Sequence, residues 1–347
     1  MKTAIVLFNL GGPDGPEAVR PFLFNLFNDP AIIDVPQPLR WCLAKLISSR
    51  RAPIARDIYA QIGGGSPLLA NTEKQARALE AALSDRIGEV RCFIAMRYWH
   101  PLTDESIRAV RDYRPDRIVL LPLYPQFSTT TSASSLNAWH RAAAAHGLAA
   151  PSRTICCYPD EPGFIEALVG LIRPALAEAQ KAGTPRLLFS AHGLPKKIVA
   201  AGDPYQWQVE RTAAAVVQAL HMDGLDWLTC YQSRVGPLEW IGPATDDEIR
   251  RAGADGKPLV VVPLAFVSEH SETLVELDIE YRHLAEEHGV PAYHRVPTVD
   301  AAAAFIGGLA RSVETALAGS EDFLAAGDGR RLCPAAFGKC RCRLSSS

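Results

Sequence analysis

The stretch Leu187-Leu188-Phe189-Ser190-Ala191-His192-Gly193-Leu194-Pro195 is a short apolar run that passes directly into a loop of small residues with one histidine. Comparable runs recur between amphipathic segments, for example Ala4 to Leu10, Arg117 to Leu123 and Leu259 to Leu264. Strands that are apolar throughout and alternate with helices are typical of a parallel sheet covered on both faces. The sequence therefore predicts an α/β fold.

A weak internal repeat predicts two related lobes. Near the start of the chain, the apolar run Ile5-Val6-Leu7-Phe8 is followed by the loop Gly11-Gly12-Pro13. In the middle of the chain, the apolar run Leu187-Leu188-Phe189 is followed in the same way by His192-Gly193-Leu194-Pro195. Later in each half, Val119-Leu120-Leu121-Pro122-Leu123 is echoed by Val260-Val261-Val262-Pro263-Leu264. Between the matching runs the first half is about 40 residues longer than the second.

We predict a first lobe over residues 1–155, a second lobe over 156–320 and a cysteine-rich tail over 321–347. The extra length of the first lobe is assigned to an insertion at about residues 24–67, which mixes large apolar residues with prolines and the basic pair Arg50-Arg51. This insertion is either a helical hairpin packed on its own lobe or an apolar lip over a cleft or membrane surface.

Composition excludes several classes of protein. The chain has 347 residues, 36 Lys and Arg against 38 Asp and Glu, and a net charge of -2. It has apolar material for a large core, and it lacks the global positive field that nucleic-acid binding uses. The first residues predict a strand and not a signal peptide, and no apolar run is long enough to span a membrane. We therefore predict a cytoplasmic protein without a nucleic-acid partner.

Residues directly after the strands are the first candidates for a site, because ligands bind beyond the carboxyl ends of parallel strands. His192 lies at such a point between small residues. It is either a structural histidine or a reactive one.

An acidic stripe is the second candidate. In a helix, Glu272, Glu276 and Glu280 share one face, with Glu269 and His270 just before them. The stripe is either a solvated face or a path for a cation or proton, because crowded carboxylates keep some members protonated near neutral pH. Histidine with carboxylates also suits a divalent metal such as Fe(II), Mn(II) or Zn(II).

The eight cysteines fall into two groups. Five lie in apolar surroundings and predict buried thiols: Cys42, Cys92, Cys156, Cys157 and Cys230. Cys333, Cys340 and Cys342 crowd into the tail beside basic side chains, which are expected to lower the pKa of the thiols. Three thiols with a fourth from Cys156 or Cys157 would suit zinc or an iron–sulfur cluster, and a free reactive tail is the alternative.

Seven motifs, in order over about residues 1–315, resemble the ferrochelatase family. They are Leu10-Gly11-Gly12-Pro13, Gly63-Gly64-Gly65-Ser66-Pro67, Arg97-Tyr98-Trp99-His100-Pro101, Tyr124-Pro125-Gln126-Phe127-Ser128, Ser190-Ala191-His192-Gly193-Leu194-Pro195, Gln232-Ser233-Arg234-Val235-Gly236-Pro237 and Glu272-Thr273-Leu274-Val275-Glu276-Leu277-Asp278-Ile279-Glu280. The resemblance implies two Rossmann-like lobes around a porphyrin cleft. It also implies a lyase of haem biosynthesis that inserts Fe(II) into protoporphyrin IX and releases two protons.

The resemblance also implies roles for individual residues. His192 and Glu272 match the catalytic pair that receives the Fe(II) substrate, and Glu269, His270, Glu276 and Glu280 match a proton or metal path. The implied substrate-binding residues are Leu10, Arg51, Tyr59, Ser66, Arg97, Tyr98 and Trp240. Leu10 lies where members that use coproporphyrin carry tyrosine, and this favours protoporphyrin.

The tail resembles that of the members with a [2Fe–2S] cluster, with Cys157, Cys333, Cys340 and Cys342 as the expected ligands and Cys156 as the alternative to Cys157. The C-terminal spacing departs from the animal pattern, and Ala167 occupies the position of its internal cysteine ligand. Two other functions stay open: a haem- or metal-binding carrier or redox sensor on the same fold, and a chelatase for another metal or tetrapyrrole. Peripheral contact of the lip with the inner membrane and formation of a homodimer are also open at this point.

Overall fold

The structure is a computed structural model that describes residues 1–234, 236–320, 322–327 and 329–342. The chain divides into two compact units. The first unit holds Met1–Cys157 together with Ala310–Arg330, and the second holds Tyr158–Leu309 together with the tail from Arg331 onward. The first unit therefore consists of two separate segments of the chain, and the predicted bounds of the lobes and the tail stay predictions.

The described residues form nine strands and eleven α-helices. The strands are β1 (Lys2–Asn9), β2 (Glu89–Met96), β3 (Arg117–Pro122), β4 (Ser152–Cys157), β5 (Arg186–His192), β6 (Asp226–Gln232), β7 (Leu259–Pro263), β8 (Tyr293–Arg295) and β9 (Phe323–Ala325). The helices are α1 (Val19–Phe27), α2 (Gln37–Ala60), α3 (Leu68–Ile87), α4 (Thr103–Tyr113), α5 (Ser132–Ala145), α6 (Pro162–Ala179), α7 (Lys196–Ala200), α8 (Tyr205–Leu220), α9 (Thr245–Ala254), α10 (Tyr281–Glu287) and α11 (Ala303–Ala318).

Each unit contains one parallel sheet, and the two sheets have matching strand orders. The first sheet runs β2-β1-β3-β4-β9, and the second runs β6-β5-β7-β8. In both, the earliest strand lies between the next two strands of its unit, with all pairs parallel. This confirms the α/β class. It also places the ends of β1 and β5 at the points where the strand order reverses, which is where such sheets bind ligands.

Two short strands were missed by the sequence analysis. β8 and β9 have three residues each, which is too few for a periodic pattern to be recognised. β9 pairs with β4, and this pairing brings the residues after α11 into the first sheet. The predicted strand before the histidine loop is also longer than expected, since β5 continues to His192 itself.

The insertion in the first unit is helical. α1 and α2 pack against each other, and the rings of Phe24 and Trp41 meet edge to face with their centroids 6.2 Å apart. Several large apolar side chains on this segment are exposed: Ile32, Leu39, Trp41, Leu46 and Ile54. The segment therefore forms a helical pair with exposed apolar side chains, and a lip over a cleft or membrane surface stays a prediction. Cys42 lies on α2 and is exposed, so its predicted burial was wrong.

The acidic stripe lies on a π-helix, Glu272–Glu280, that continues directly into α10. π-helices are rare and are frequently found at functional sites. With about 4.4 residues per turn, side chains at i and i+4 still share a face, but the stripe winds around the axis in the opposite sense to one on an α-helix. Among the described residues no helix is long and apolar enough to cross a bilayer.

The start of α6 shows how tightly the second unit is packed. The buried Glu161 carboxylate accepts a hydrogen bond from the backbone N–H of Phe164 at 2.9 Å and so caps the helix. A Cβ atom at Gly308 of α11 would lie 1.9 Å from Oε2 of this carboxylate. Position 308 therefore requires glycine, because a larger side chain would collide with the buried Glu161 carboxylate that caps α6.

We expect Gly308→Ala to lower the free energy of unfolding by about 1–3 kcal/mol, because it forces the buried cap out of place. Gly170→Ala on α6 is the matched control. A Cβ at Gly170 has open space around it, and alanine there should be neutral or stabilising by up to about 1 kcal/mol. Urea unfolding of the two variants measures the difference, and equal stability would contradict this account of Gly308.

Candidate active site

His192 is the last residue of β5, and its ring orientation is determined by the backbone. Nδ1 lies 2.7 Å from the carbonyl oxygen of Gly193. Because a carbonyl only accepts hydrogen bonds, Nδ1 carries the hydrogen and donates it. In the neutral ring, the lone pair is then on Nε2. The carbonyl of His192 itself accepts from the hydroxyl of Tyr205 at 3.1 Å, which fixes the backbone behind the ring.

Glu272, at the start of the π-helix, faces this free nitrogen. Its Oε1 lies 3.7 Å from His192 Nε2, and 42% of the His192 side chain and 30% of the Glu272 side chain are exposed. The distance is too long for a direct hydrogen bond. A lone pair and a carboxylate that face each other are both acceptors, so a proton or a cation between them would satisfy both. The pair that the sequence singled out is thus brought together within the second unit.

Glu276 lies one step further along the stripe and is held by four hydrogen bonds. Oε1 accepts from the backbone N–H of Ser233 at 2.8 Å and from the Tyr281 hydroxyl at 3.2 Å. Oε2 accepts from Gln232 Nε2 at 3.0 Å and from the Ser233 hydroxyl. Sequence reasoning assigned no role to Gln232, Ser233 or Tyr281. The signals that could have found Gln232 and Ser233 were their position at the end of β6 and their place in one of the seven family motifs.

The pKa of Glu276 is raised above its ordinary value. Burial is the largest cause, and the nearby charge of Glu272 adds to it, while the hydrogen bonds from Ser233 and Gln232 act in the opposite direction. The expectation that crowded carboxylates hold protons more tightly therefore applies to Glu276. A proton taken up in this part of the site has an acceptor that binds it more readily than an exposed glutamate.

Glu269 and Glu280 lie at the two ends of the stripe and differ in environment. The Glu269 carboxylate accepts from Arg295 NH1 at 2.8 Å, from the backbone N–H of Thr298 at 3.0 Å and from the Thr273 hydroxyl at 2.5 Å. Glu280 is exposed at the end of the π-helix. The structure thus separates a fully hydrogen-bonded glutamate at one end from a solvated glutamate at the other.

His270 packs edge to face on Phe266, with ring centroids 4.6 Å apart. Its Nδ1 accepts from the backbone N–H of Thr273 at 3.3 Å, so the neutral ring carries its hydrogen on Nε2. Burial, the largest cause, lowers the pKa of His270, and the charges of Glu272 and Glu269 oppose this shift. His270 is thus favoured as a neutral imidazole.

This lowered pKa predicts a pH dependence of stability. Below the ordinary histidine pKa of 6.5, the unfolded chain takes up a proton before folded His270 does. The stabilising contribution is therefore complete above pH 6.5 and is lost as the pH falls. His270→Asn keeps an acceptor near Nδ1 without the titration, so we expect it to lose less unfolding free energy than the wild type between pH 7.5 and 5.5. Equal losses in urea titrations at the two pH values would contradict this.

Most of the residues predicted to bind substrate lie in the first unit. Tyr59 of α2 and Tyr98 are buried in one apolar cluster with Val19 and Phe22, and Leu10 packs against that cluster. Arg97 stacks on its neighbour, with its guanidinium carbon 5.1 Å from the Tyr98 ring centroid. The structure thus brings Leu10, Tyr59, Arg97 and Tyr98 into one region.

Two predicted loops of the first unit also meet. The backbone N–H of Ser66 donates to the carbonyl of Pro13 at 2.7 Å, and a Cβ at Gly12 would lie 2.5 Å from the Ser66 side chain. Gly12 is therefore explained by close approach to Ser66. Arg51 is exposed on α2, with its guanidinium carbon 5.8 Å from the Phe27 ring centroid.

Trp240 belongs to the second unit, where its backbone forms an isolated antiparallel β-bridge with Pro195, in the loop after His192. A Cβ at Gly193 would lie 3.2 Å from the Trp240 ring. The indole N–H is buried, and the described residues give it no hydrogen-bond partner. Trp240 therefore packs against the loop that follows His192, and the described residues leave its indole N–H without a hydrogen-bond acceptor.

The cysteine tail folds as a loop around Arg331. The guanidinium donates to the backbone carbonyls of Cys333, Pro334, Phe337 and Cys342. All three tail cysteines are buried. The pKa of Cys333 is raised, first by its hydrogen bond with Cys340 and then by burial. The prediction that basic side chains lower it was wrong, because Arg331 is engaged by carbonyls and not by thiols.

The tail also contacts α8, where Gln208 Nε2 donates to the sulfur of Cys333 at 3.1 Å. Cys156 and Cys157 are buried in β4 of the first unit. As placed, the described part of the chain contains no group of three or more His, Cys, Asp or Glu side chains that could hold a metal ion. The tail supplies thiols of the right chemistry without an assembled ligand set.

Comparisons with known proteins identify the family of the chain. Residues 2–317 match the family model for ferrochelatase. A ferrochelatase of Phenylobacterium zucineum (strain HLK1) is 60% identical over 345 residues, which cover 99% of this chain and 98% of the relative. A ferrochelatase of Caulobacter vibrioides (strain NA1000 / CB15N) is 57% identical over 351 residues, with coverage of 100% and 99%.

Among solved structures, SirB from Bacillus subtilis with Fe3+ has a TM-score of 0.51 at 13% identity, covering 92% of this chain and 96% of that one. This likeness concerns the fold. Together, the two parallel sheets, the histidine–carboxylate pair and the sequence matches define an enzyme of the metal chelatase class. The chain belongs to the ferrochelatase family.

Proposed function

We propose that the protein inserts Fe(II) into protoporphyrin IX and so forms protohaem, as a lyase of haem biosynthesis. The observation that carries the proposal is that two hydrogen-bond acceptors, His192 Nε2 and Glu272 Oε1, face each other 3.7 Å apart. The other ring nitrogen of His192, Nδ1, already donates its hydrogen to the carbonyl of Gly193. Membership of the ferrochelatase family indicates the substrates. The pair His192 and Glu272 provides groups that can accept a proton and bind a cation.

Metallation of a free-base porphyrin requires removal of two pyrrole protons. His192 is suited to accept them one at a time at Nε2, passing the first proton on before it takes the second, because this nitrogen is left free by the Nδ1 hydrogen bond. Glu272 is suited to stabilise the resulting imidazolium or to bind the incoming Fe(II) substrate with His192. A cation held at about 2.1 Å from both atoms fits their separation.

We further propose that protons or metal move along Glu269, His270, Glu276 and Glu280. The raised pKa of Glu276 supports a role as temporary proton acceptor, and the exposure of Glu280 supports a role at the solvent end. Glu269 is the least mobile member because Arg295 holds it as an ion pair. In this path Glu276 stores the proton and Glu280 exchanges it with water.

For the substrate we propose contacts with Leu10, Arg51, Tyr59, Ser66, Arg97, Tyr98 and Trp240. Arg51, Tyr59 and Ser66 supply a cation and hydroxyls for the propionates, and the apolar and aromatic members suit a flat macrocycle. The unused indole N–H of Trp240 and the positive charge of Arg97 support their inclusion.

Anaerobic incubation of the purified protein with Fe(II) and protoporphyrin IX tests the proposal. We expect a protohaem Soret band to form at a rate that depends on enzyme concentration. Porphyrin binding without turnover would favour a carrier and overturn the proposal. Parallel reactions with Co(II) or with another tetrapyrrole would reveal a chelatase of different specificity if they outcompete Fe(II) and protoporphyrin.

We also propose that the tail binds a [2Fe–2S] cluster through Cys333, Cys340 and Cys342, with Cys157 as fourth ligand and Cys156 as its alternative. Three buried thiols in one loop and the Gln208 N–H directed at the Cys333 sulfur support this, since such clusters are held by cysteine thiolates that accept hydrogen bonds. The remaining requirement is that the thiols lose their protons and turn toward a common centre.

The expected result is a reddish protein whose visible absorption disappears in Cys340→Ser. Cys42→Ser is the matched control, because Cys42 is exposed on α2 and its loss should leave the colour unchanged. A colourless protein with stoichiometric zinc, after expression with ample iron, would contradict the cluster.

For location we propose the cytoplasm, with the apolar face of α2 in peripheral contact with the inner membrane. Exposed Leu39, Trp41 and Leu46 beside Lys45 and Arg51 support this, because interfacial segments combine apolar and basic residues. Flotation with anionic vesicles tests it. The homodimer stays a prediction, which light scattering in solution would check.

A further inference from the structure

Asp29, two residues after the end of α1, is the centre of a buried polar cluster in the first unit. Only 2% of its side chain is exposed. Its Oδ2 lies 2.7 Å from Arg97 NH2 and accepts from the hydroxyls of Ser134 at 2.5 Å and Tyr98 at 2.8 Å. Three donors from two distant parts of the chain thus converge on one carboxylate oxygen. Neither the motifs nor the composition pointed to Asp29.

The carboxylate is itself held in place by the chain around it. Oδ1 accepts from the backbone N–H of Ala31 at 2.9 Å, which forms a local turn at the end of α1. One turn earlier, Asn25 Nδ2 donates to the carbonyl of Tyr98 at 3.0 Å. The carboxylate therefore has no freedom to rotate away from its partners, and α1 is joined to the loop after β2 at two points.

The consequence for Arg97 is a fixed orientation. NH2 is bound by Asp29, Nε donates to Ser134 at 2.7 Å, and the Tyr98 ring lies against the guanidinium. Ser134 also donates to Asp29, so the three side chains form a closed ring of contacts. The described residues give NH1 no hydrogen bond, and 18% of the Arg97 side chain is exposed. Arg97 thus presents one free N–H edge and is immobilised on the other.

We propose that Asp29 is a positioning residue for substrate binding, which holds the Arg97 guanidinium in the single orientation that presents NH1 to the tetrapyrrole. This rests on the proposed function, in which Arg97 contacts the porphyrin. A free arginine samples many rotamers and would lose that freedom on binding, whereas one anchored in advance loses little. Burial of the guanidinium also requires a counter-charge, which Asp29 supplies.

The arrangement differs from a merely structural ion pair in one respect. A pair that only stabilised the fold could be saturated on both edges of the guanidinium, but here every anchoring contact is on the Nε and NH2 side. Tyr98 stays a neutral donor to Asp29, because burial and the Asp29 charge raise its pKa. The role of the cluster is therefore orientation of the cation as well as its neutralisation.

Asp29→Asn tests the inference, because the amide keeps the acceptor for Ala31 but turns an NH2 group toward three donors. Dissociation constants for protoporphyrin IX are measured by quenching of tryptophan fluorescence, and KM and kcat by anaerobic protohaem formation. We expect Kd and KM for porphyrin to rise by about tenfold or more, as on loss of a charged hydrogen-bonded contact, with kcat within about threefold of the wild type. Asp34→Asn, the same change at an exposed position of the same segment, is expected to behave as the wild type.

Arg97→Lys is the second variant and covers the case in which Asp29→Asn does not fold. Lysine keeps the charge but cannot bind Asp29 and Ser134 while presenting another N–H in a fixed plane. We expect the same rise in Kd and KM, and no further rise in the double variant. Wild-type porphyrin affinity in either folded variant would overturn the proposal, as would a fall in kcat alone.

The wild-type protein separates this inference from the proposed function. If it binds protoporphyrin without forming protohaem, the proposed function fails, while the Kd values still decide the role of Asp29. If it binds no protoporphyrin, both are overturned.

Discussion

His192→Ala is expected to lower the rate of protohaem formation by about a thousandfold, within the range of 100- to 10,000-fold that a positioned general base contributes. The ring is the group whose free nitrogen faces Glu272, and its other nitrogen is already used by Gly193. Alanine leaves no acceptor for the pyrrole protons at this point. Porphyrin affinity should change much less, because the macrocycle is bound through other side chains.

His283→Ala is the matched control. His283 is an exposed histidine on α10 that pairs with Glu287, 3.2 Å away, and the described residues give it no hydrogen bond or ion pair with His192 or Glu272. Rates are compared under anaerobic conditions at saturating Fe(II), with thermal unfolding as the check on folding. Protohaem formation by His192→Ala at the wild-type rate would contradict the role of His192 on which the proposed function rests.

Glu272→Gln is expected to lower the same rate by about a hundredfold or more. Glutamine retains the size of the side chain but has no charge to stabilise an imidazolium or to bind a cation beside His192. It also removes the charge that helps to raise the pKa of Glu276, so the pKa of Glu276 should fall. The pH–rate profile of this variant should therefore change in shape as well as in height.

Glu280→Gln is the control on the same stripe, and we expect an effect below about fivefold because Glu280 is exposed and can be replaced by water in proton exchange. Equal damage from both substitutions would contradict the distinct role of Glu272. His192→Ala combined with Glu272→Gln should be little worse than His192→Ala alone, because residues that act as one unit are not additive.

The candidate site was predictable to the extent that it depends on local order along the chain. His192 follows an apolar run, and Glu272, Glu276 and Glu280 recur every four residues, a spacing that keeps side chains on one face in an α-helix or a π-helix. The helix type was not predictable, since the same letters fit either. The hydrogen bonds from Ser233 and Gln232 to Glu276 were not predictable either, because these residues are distant in the sequence.

The tail shows the limit of arguments from neighbours in sequence. Arg331 is close to three cysteines in the chain, which predicted a lowered thiol pKa. In the structure its hydrogen bonds go to backbone carbonyls, because a tight loop brings four carbonyls close together and a guanidinium has five N–H groups that can donate to them.

By itself the sequence determined the α/β class and the two related halves, because apolar periodicity and the ends of strands are local properties of the chain. It named His192 and Glu272 as a candidate pair through the family resemblance. Only the tertiary structure decided that Asp29 anchors Arg97 and that Gln232 and Ser233 hold Glu276. These contacts join residues about 40 to 70 positions apart. Such pairings are fixed by how whole elements pack, and no short pattern records them.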